Sequence, residues 1–315
     1  MTEVDKLPQA DRFSDAATDN PYWNENSWFS ISIPERRIHG LIQHIFRPNM
    51  NLLLGGPVLW DPSGLFQWNC LHYDWSHLQA IPPGSRKFSV RARNSLTIEV
   101  VEPLKRYAIG YDRDGLVLDL VWEAAGPLHM LETGDPDQAK TAAFHYEHPG
   151  RMTGHIRLRG EELRVDCWSM RDGSSGPYDT EFWPHGAYFW GIGEGGSFQT
   201  LCFGKKPEAR TKGGYLMLDG QMAPLANGRR TVTEYGAHGP ARVLFEGTDT
   251  LGRTLRAEGA IDPGLVFTAY TDHTVIWSLL EWQVDGSTWW GDNQEFYPAD
   301  AFRRIARGEV RLGTP

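Results

Sequence analysis

Cysteine is scarce in this chain, and so are the other marks of a secreted or membrane-embedded protein. Cys70, Cys167 and Cys202 stand far apart among 315 residues, so they neither pair evenly nor form a Cys-x-x-Cys metal site. The first residues are acidic and lack an apolar signal-peptide core, and no later run approaches the roughly 20 apolar residues that span a bilayer. We therefore expect a cytoplasmic protein with reduced cysteines and no membrane span.

Basic residues are also fewer than acidic ones. The chain has 31 Lys and Arg against 40 Asp and Glu, a formal net charge of -9, and it contains no dense basic run. Such a charge opposes binding to phosphate backbones, so nucleic acid is not expected as a partner. A Gly-x-Ser-x-Gly motif is missing, and the glycine-rich residues 191–196 lack the Lys-Ser/Thr ending of a phosphate loop. Hydrolase and nucleotide-binding functions therefore lose support.

Helical periodicity is scarce as well, and strand patterns take its place. Short runs of β-branched and aromatic residues are separated by Gly, Pro, Asn and Asp at intervals of roughly 8–12 residues, as in barrels and sandwiches. Asp114-Gly115, Arg159-Gly160 and Asp285-Gly286 predict tight hairpin turns. Residues 298–306 are the best helix candidate, with a proline in the first turn. The sequence predicts an all-β protein with a short C-terminal helix.

Composition suggests how the chain divides into domains. Residues 1–20 have no apolar periodicity and predict an N-terminal arm that is either flexible or wraps around the body of the protein. Residues 131–142 are polar and turn-forming, which predicts a linker. We expect a β-barrel-like N-terminal domain over residues 21–140 and a second one over residues 141–315.

Aromatic residues are abundant, with 13 Trp, 11 Tyr and 14 Phe, and they either fill a core or line a pocket. The richest segment is the predicted strand of residues 164–172. Alternation along a strand places Asp166, Trp168, Met170 and Asp172 on one face and Val165, Cys167, Ser169 and Arg171 on the other. In an apolar cavity Asp172 could exchange a proton. Alternatively, it caps the Gly-Ser-Ser-Gly-Pro turn that follows.

This segment resembles the carotenoid 1,2-hydratase/AttH-like family. The resemblance rests on an aromatic-rich strand that ends in Asp172 and is followed by x-x-Trp-Gly, where Ser175 replaces the tryptophan. His145-Tyr146-Glu147 with residues 149–154, and the late residues 273–275 and 291–295, are similar to bacterial members. The resemblance covers mainly residues 145–295 and implies two lipocalin-like, calycin-type antiparallel β-barrel or sandwich domains in tandem.

The resemblance also implies site residues. In the carotenoid hydratases an Asp, a Tyr two residues before it and an upstream His-x-Trp are implicated in protonating an alkene. Asp172 and His145 match this pattern, whereas Met170 stands at the Tyr position and Glu147 at the Trp position. Asp172 would then donate or shuttle the proton, His145 would orient or re-protonate it, and Glu147 would assist.

A second set of residues is expected to bind the substrate in an aromatic-lined cavity, although packing between sheets should claim at least half of them. The set is Trp168, Met170, Trp183, His185, Tyr188, Trp190, Trp122, Tyr73 and Trp75. His72 and His77 could bind a metal, but no clear third ligand accompanies them, so no metal is expected. Asp119 and Glu123 fit a solvated face better than a second carboxylate site.

The sequence therefore predicts a cofactor-independent acid–base lyase or isomerase that hydrates, dehydrates, isomerises or cyclises a hydrophobic terpenoid-, steroid- or polyketide-like molecule. The first alternative is a carrier that uses the same cavity without turnover, because a lipocalin-like fold hosts both roles. The second is a carbohydrate-binding β-sandwich with exposed tryptophan platforms. A homodimer stays open as an assembly.

Overall fold

The computed structural model describes residues 10–13, 19–131, 144–177, 184–204, 208–237, 239–268 and 272–310. These residues form two compact units. The first contains the described residues before 60, residues 71–131 and residues 144–177. The second contains residues 60–70 and the described residues from 184 onward.

The first unit is built on one antiparallel sheet of twelve strands. Its strands are β1 (Asn24–Ile33), β2 (Ile38–Arg47), β3 (Leu52–Trp60), β4 (His72–Tyr73), β5 (Ser76–Ala80), β6 (Val90–Arg91), β7 (Thr97–Glu102), β8 (Arg106–Arg113), β9 (Leu116–Ala124), β10 (His129–Met130), β11 (Phe144–Leu158) and β12 (Glu161–Gly176). The main order is β4-β3-β2-β1-β12-β11-β9-β8-β7-β6, with β5 on β3 and β10 on β11. Short 3-10 turns at Pro34–Arg36 and Pro48–Met50 join the first three strands.

The core of this unit lies on one face of the sheet, which we call the inner face. Alternate residues of the central strands, such as Phe29, Leu118, Met152 and Val165, are buried in a single apolar cluster. The opposite side chains of the same strands lie on what we call the outer face. The expected alternation along residues 164–172 is present, since Val165 and Cys167 join the core whereas Asp166 is exposed.

The second unit is a closed barrel followed by one helix. Its strands are β13 (Gly186–Gly193), β14 (Gly196–Phe203), β15 (Glu208–Leu218), β16 (Gln221–Tyr235), β17 (Pro240–Asp249), β18 (Thr254–Ile261), β19 (Leu265–Phe267), β20 (His273–Val284) and β21 (Ser287–Pro298). Eight of them form a ring, because β18 pairs with β20 as well as with β17, and β19 pairs with β20 outside it. Phe189, Phe198, Phe245 and Trp282 fill the interior.

Helix α1 spans Ala299–Ala306, close to the predicted residues 298–306. The all-β prediction with a short C-terminal helix is thus confirmed. The predicted turns are also confirmed, since each joins two paired strands through two residues of positive φ. Asp114 and Gly115, for example, have φ of 52° and 79°, as a type I′ hairpin requires.

The division between the units differs from the expected boundary at residues 140/141. Strands β11 and β12 pair with β9 and β1, so residues 144–176 belong to the first sheet. Composition locates polar segments but carries no information on which strands pair across long sequence separations. Most of the predicted linker lies outside the described residues, as does most of the predicted arm. Within the described part of the chain, no helix has the length and apolarity needed to cross a membrane.

Two buried histidines of the first unit, His44 and His148, are held strongly in the neutral form. Burial lowers the pKa of His44 from 6.5 to about 3, and burial with the nearby Arg171 charge lowers the pKa of His148 to about 3 as well. The unfolded chain therefore takes up protons between pH 6.5 and 3 that the folded chain does not. The stability that neutral burial provides is complete above pH 6.5 and is lost as the pH falls through this window.

We expect the free energy of unfolding to fall between pH 6.5 and 5 by up to about 1.4 kcal/mol per pH unit for each of these histidines. Urea titrations of wild type and His44→Leu at several pH values measure the slope. The variant should show a shallower slope than wild type. The matched control is the exposed His77→Leu, which should keep the wild-type slope. Equal slopes for wild type and His44→Leu would refute the assignment.

Candidate functional site

The candidate site lies on the outer face of the first sheet, where β1, β12 and β11 run side by side. Glu147 stands directly opposite Asp172, and His145 stands opposite Ser174. On the other side of β12, Trp28 stands opposite Asp172. Directly opposed residues of an antiparallel pair point to the same face, so the register alone places these side chains together.

His145, Glu147 and Asp172, which we call the outer-face triad, converge to short distances. Their ligating atoms all lie within 4.8 Å of one another. His145 Nε2 lies 3.1 Å from Glu147 Oε1, and the Glu147 side chain is fully buried while 24% of the His145 side chain is exposed. Asp172 is partly buried. The structure thus brings together all three residues expected to carry the chemistry.

Two side-chain amides orient Asp172. Asn26 Nδ2 donates a hydrogen bond of 2.9 Å to Asp172 Oδ1, and Gln43 Nε2 donates one of 2.6 Å to Asn26 Oδ1. The second bond fixes which way the Asn26 amide points, so its NH2 group faces the carboxylate. Asp172 is therefore held by a neighbouring strand, and the Gly-Ser-Ser-Gly residues that follow it continue β12 and do not form a turn at that point.

His145 is poised as a neutral base. Burial lowers its pKa, and the Lys87 charge lowers it further, while the Asp172 charge opposes both effects. An imidazole with a lowered pKa is neutral at neutral pH and can accept a proton. The Glu147 carboxylate lies beside it, with Oε1 3.1 Å from His145 Nε2, although the two atoms are not oriented for a hydrogen bond in this structure.

Two of the expected substrate-binding residues flank Asp172 on β12. Met170 is fully buried, and Trp168 is half-buried with the guanidinium of Arg151 5.2 Å from its ring. Both share the outer face with Asp172, since residues 168, 170 and 172 alternate along one strand. They supply an apolar and aromatic border on one side of the triad.

The other expected residues of the first unit lie elsewhere. Trp122 is fully buried in the core, 5.1 Å from the His148 ring, and so belongs to the inner face. Tyr73 and Trp75 lie at β4 and just after it, and three strands separate β4 from β12 in the sheet order. The abundance of aromatic residues predicted an aromatic lining around Asp172. The Trp122 side chain lies on the opposite face of the sheet, because side chains alternate along a strand.

The remaining candidates belong to the second unit. His185 Nε2 lies 2.9 Å from Glu295 Oε1, and its ring stacks on Tyr297. The other carboxylate oxygen, Glu295 Oε2, pairs with Arg230 at 2.7 Å. Tyr188 and Trp190 are buried on β13, on the side opposite the barrel core. Trp183 lies outside the described residues.

Sequence reasoning missed the amides Asn26 and Gln43, and also His129, which stands opposite Glu147 in the register of β10 with β11. A polar residue within an apolar strand, as in Asn26 before Ser27-Trp28-Phe29, is the only local signal. It does not say which distant carboxylate the amide meets.

The outer-face triad offers one nitrogen and two carboxylate ligands, a set that could hold a divalent metal ion. His72 and His77 offer no such set. His72 is buried and hydrogen-bonds Tyr111 at 3.2 Å, whereas His77 is exposed.

A groove on the barrel of the second unit is a different kind of surface. It has a volume of about 500 Å³ and is lined in part by Glu208, Arg229 and Glu246. Arg229 pairs with both glutamates, at 3.6 and 2.6 Å. Because each of these charges already has an opposite partner in an open groove, it is a weaker candidate than the buried triad.

Comparisons with known proteins agree with this fold. A family model described as "Domain of unknown function (DUF7064)" matches residues 8–294. No curated protein sequence gives a significant match.

Three solved structures are similar over most of their length. An AttH-like protein from Nitrosomonas europaea has a TM-score of 0.62 at 12% identity, covering 87% of this chain and 92% of its own. CghA has a TM-score of 0.57 at 11% identity, covering 88% and 89%. Kievitone hydratase from Nectria haematococca has a TM-score of 0.55 at 11% identity, covering 95% and 96%. At such identities the likeness shows a shared fold, which is AttH-like.

We expect chelation to leave the melting temperature unchanged, because strand pairing and the Asn26 hydrogen bond hold the triad without an ion. Added Zn²⁺ should bind weakly at the triad, and Glu147→Gln should weaken that binding, whereas the exposed Asp119→Asn should not. Isothermal titration calorimetry and thermal melts measure both effects. A melting temperature that falls on chelation and recovers with one particular ion would show instead that the triad is a structural metal site.

Proposed function

Because the chain belongs to the DUF7064 family, whose description assigns no activity, we propose its function from the chemistry of the outer-face triad. The protein is a cofactor-independent acid–base enzyme that adds water to, or removes it from, an apolar alkene. The observation that carries the proposal is the convergence of His145, Glu147 and Asp172 within 4.8 Å. General acid–base catalysis needs such a donor and acceptor within reach of one substrate.

The triad can hold a proton ready for transfer. Two ionised carboxylates this close repel each other, which favours a state in which they share one proton. Asn26 donates to Asp172, and the neutral His145 lies beside Glu147. We assign Asp172 as the group that exchanges the proton with substrate, His145 as the base and Glu147 as the group that assists His145.

The hydration sequence balances without any further reactant. Asp172, in its protonated form, gives its proton to one alkene carbon, and the electron pair of the double bond forms the new C–H bond. Water attacks the resulting cationic carbon while His145 accepts a proton from that water. The proton then returns through Glu147 to Asp172. The net change is addition of one water molecule, and the reverse order removes it.

The proposed substrate class is a hydrophobic molecule of terpenoid, steroid or polyketide type. Trp168 and Met170 border the triad with apolar surface, and the face of Trp168 can stabilise cationic character as the proton arrives. The same acid–base set could isomerise or cyclise such a molecule when no water attacks. That one protein of similar fold is a hydratase by name supports this by analogy alone.

The two alternatives differ in what they require of the structure. A carrier needs an apolar pocket, and burying three convergent titratable groups in the wall of such a pocket costs free energy. A carbohydrate-binding sandwich needs exposed aromatic platforms. Of the twelve tryptophans that the structure describes, nine are buried and only Trp68 is largely exposed. The enzyme proposal accounts for both observations.

We expect Asp172→Asn to lower turnover by about 10²–10⁴-fold while leaving ligand binding largely intact, because the amide keeps the shape but cannot exchange a proton. A panel of apolar alkenes and tertiary alcohols, incubated in isotopically labelled water and followed by mass spectrometry, measures turnover. Activity should survive exhaustive chelation.

The matched control for this experiment is Asp119→Asn, an exposed carboxylate on β9 that should turn over at the wild-type rate. An Asp172→Asn protein that melts near wild type and retains full turnover would remove Asp172 from the mechanism. A wild-type protein that binds the panel compounds without converting any of them would favour the carrier.

The lowered pKa of His145 also predicts how kcat/KM depends on pH. A base with a lowered pKa stays neutral as the pH falls through 6.5 and is protonated only below that value. The acidic limb of kcat/KM should therefore lie below pH 6.5. The Asp172→Glu variant, if active, should show an acidic limb at the same pH. A wild-type acidic limb at or above pH 6.5 would exclude His145 as the base.

A further inference from the structure

The inner face of the first sheet carries a buried cation that the proposed reaction does not use. The Arg171 side chain is fully buried among four aromatic rings, which we call the Arg171 cage. Its guanidinium carbon lies 4.2 Å from the centroid of Tyr107, 4.4 Å from Phe88, 5.2 Å from Tyr146 and 5.6 Å from Trp122. The other buried cation nearby, Lys87, is neutralised by Glu25 at 2.7 Å.

The charge of Arg171 is balanced from outside the sheet. Asp11 Oδ1 accepts a hydrogen bond of 2.8 Å from Arg171 Nη1 and one of 2.6 Å from the Tyr107 hydroxyl. Asp11 Oδ2 accepts a bond of 3.1 Å from the Leu104 amide. Asp11 lies 160 positions before Arg171, in a segment that belongs to no strand.

The segment of residues 10–13 fills the cage like a small ligand. Ala10 is fully buried, and its carbonyl accepts a hydrogen bond of 3.1 Å from the Tyr146 hydroxyl. Phe13 packs edge-on against Phe46 with ring centroids 4.9 Å apart. A carboxylate in the cage is thus followed by an apolar ring on the core, which is the layout of an apolar carboxylic acid.

One nitrogen of the guanidinium has no partner among the described residues, since Nη1 bonds Asp11 and Nη2 lies 3.5 Å from His148 Nδ1. That nitrogen is Arg171 Nε, which is buried. Carboxylates prefer to bind guanidinium through two parallel hydrogen bonds, and Asp11 reaches Nη1 through a single oxygen. A buried arginine is seldom the most stabilising choice for a core, since apolar residues of similar volume often serve as well or better. A buried arginine that keeps an Nε without a hydrogen-bond partner therefore points to a ligand.

We propose that the Arg171 cage is a binding site for the carboxylate of an apolar monocarboxylic acid, and that residues 10–13 occupy this site in the ligand-free chain. The ligand carboxylate takes the place of Asp11 and adds a bond to Nε, and its apolar body takes the place of Phe13 against Phe46. The site is separate from the outer-face triad, because Arg171 and Asp172 point to opposite faces of β12.

Decanoate is the probe for this site, and Asp11→Ala is the variant that vacates it. The variant leaves the guanidinium without its counter-ion, so its melting temperature should fall. Decanoate should restore most of that loss and should bind the variant at least about tenfold more tightly than wild type, where Asp11 competes. Asp11→Asn, which keeps an acceptor for Tyr107 and Leu104, provides the same comparison should Asp11→Ala not fold.

Three controls make the experiment decisive. Decanol, with the same tail and no charge, should not rescue the variant. Asp112→Ala, at an exposed position on β8, should show neither the loss nor the gain. Arg171→Met added to Asp11→Ala should abolish decanoate binding. Equal rescue by inorganic phosphate would show a simple anion site and overturn the apolar ligand, and absence of rescue by decanoate would show that Asp11 is only a structural anchor.

Discussion

The register between β11 and β12 is the constraint on which the first unit depends. The two strands pair without interruption from Phe144↔Ser175 to Leu158↔Glu161, and the two-residue turn at Arg159-Gly160 fixes that alignment. A slip of one residue would turn every side chain to the other face. Arg171 would then leave its aromatic cage while Asp172 entered the core, so both the triad and the cage would be lost together.

Apolar packing enforces this register. Val165 and Cys167 join the inner core and would face outward if β12 slipped by one residue, at a loss of roughly 1.5–3 kcal/mol for each large side chain. The core therefore decides which of two adjacent charged residues faces which side. Asp172 meets amides and a second carboxylate, whereas Arg171 meets rings and one carboxylate. One strand thus carries opposite charges into two separate environments.

What the sequence could predict was local. Alternation along residues 164–172 predicted the faces of Asp172 and Arg171, and the glycines of the tight turns predicted the hairpins. Asp172 and His145 were found through a family pattern, and their meeting follows from pairing of neighbouring strands. The partners Asn26 and Asp11 lie 146 and 160 residues away from the groups they bind. No local pattern encodes such pairings, which is also why the boundary between the units was misplaced at residue 140.

The second unit shows by contrast why the Asp11 contact is unusual. There the buried cation Arg230, on β16, pairs with Glu295 on β21, and Glu295 also holds His185. Both members of that pair are fixed by barrel strands, so neither can leave without breaking the ladder. The counter-ion of Arg171 lies instead on residues 10–13, which belong to no strand and whose described contacts are hydrogen bonds to side chains and loop amides and the packing of the Phe13 ring. Local opening costs least where few backbone bonds and little apolar surface are involved. Of these two buried arginines, Arg171 is therefore the one whose counter-ion a ligand could replace while the sheet stays intact.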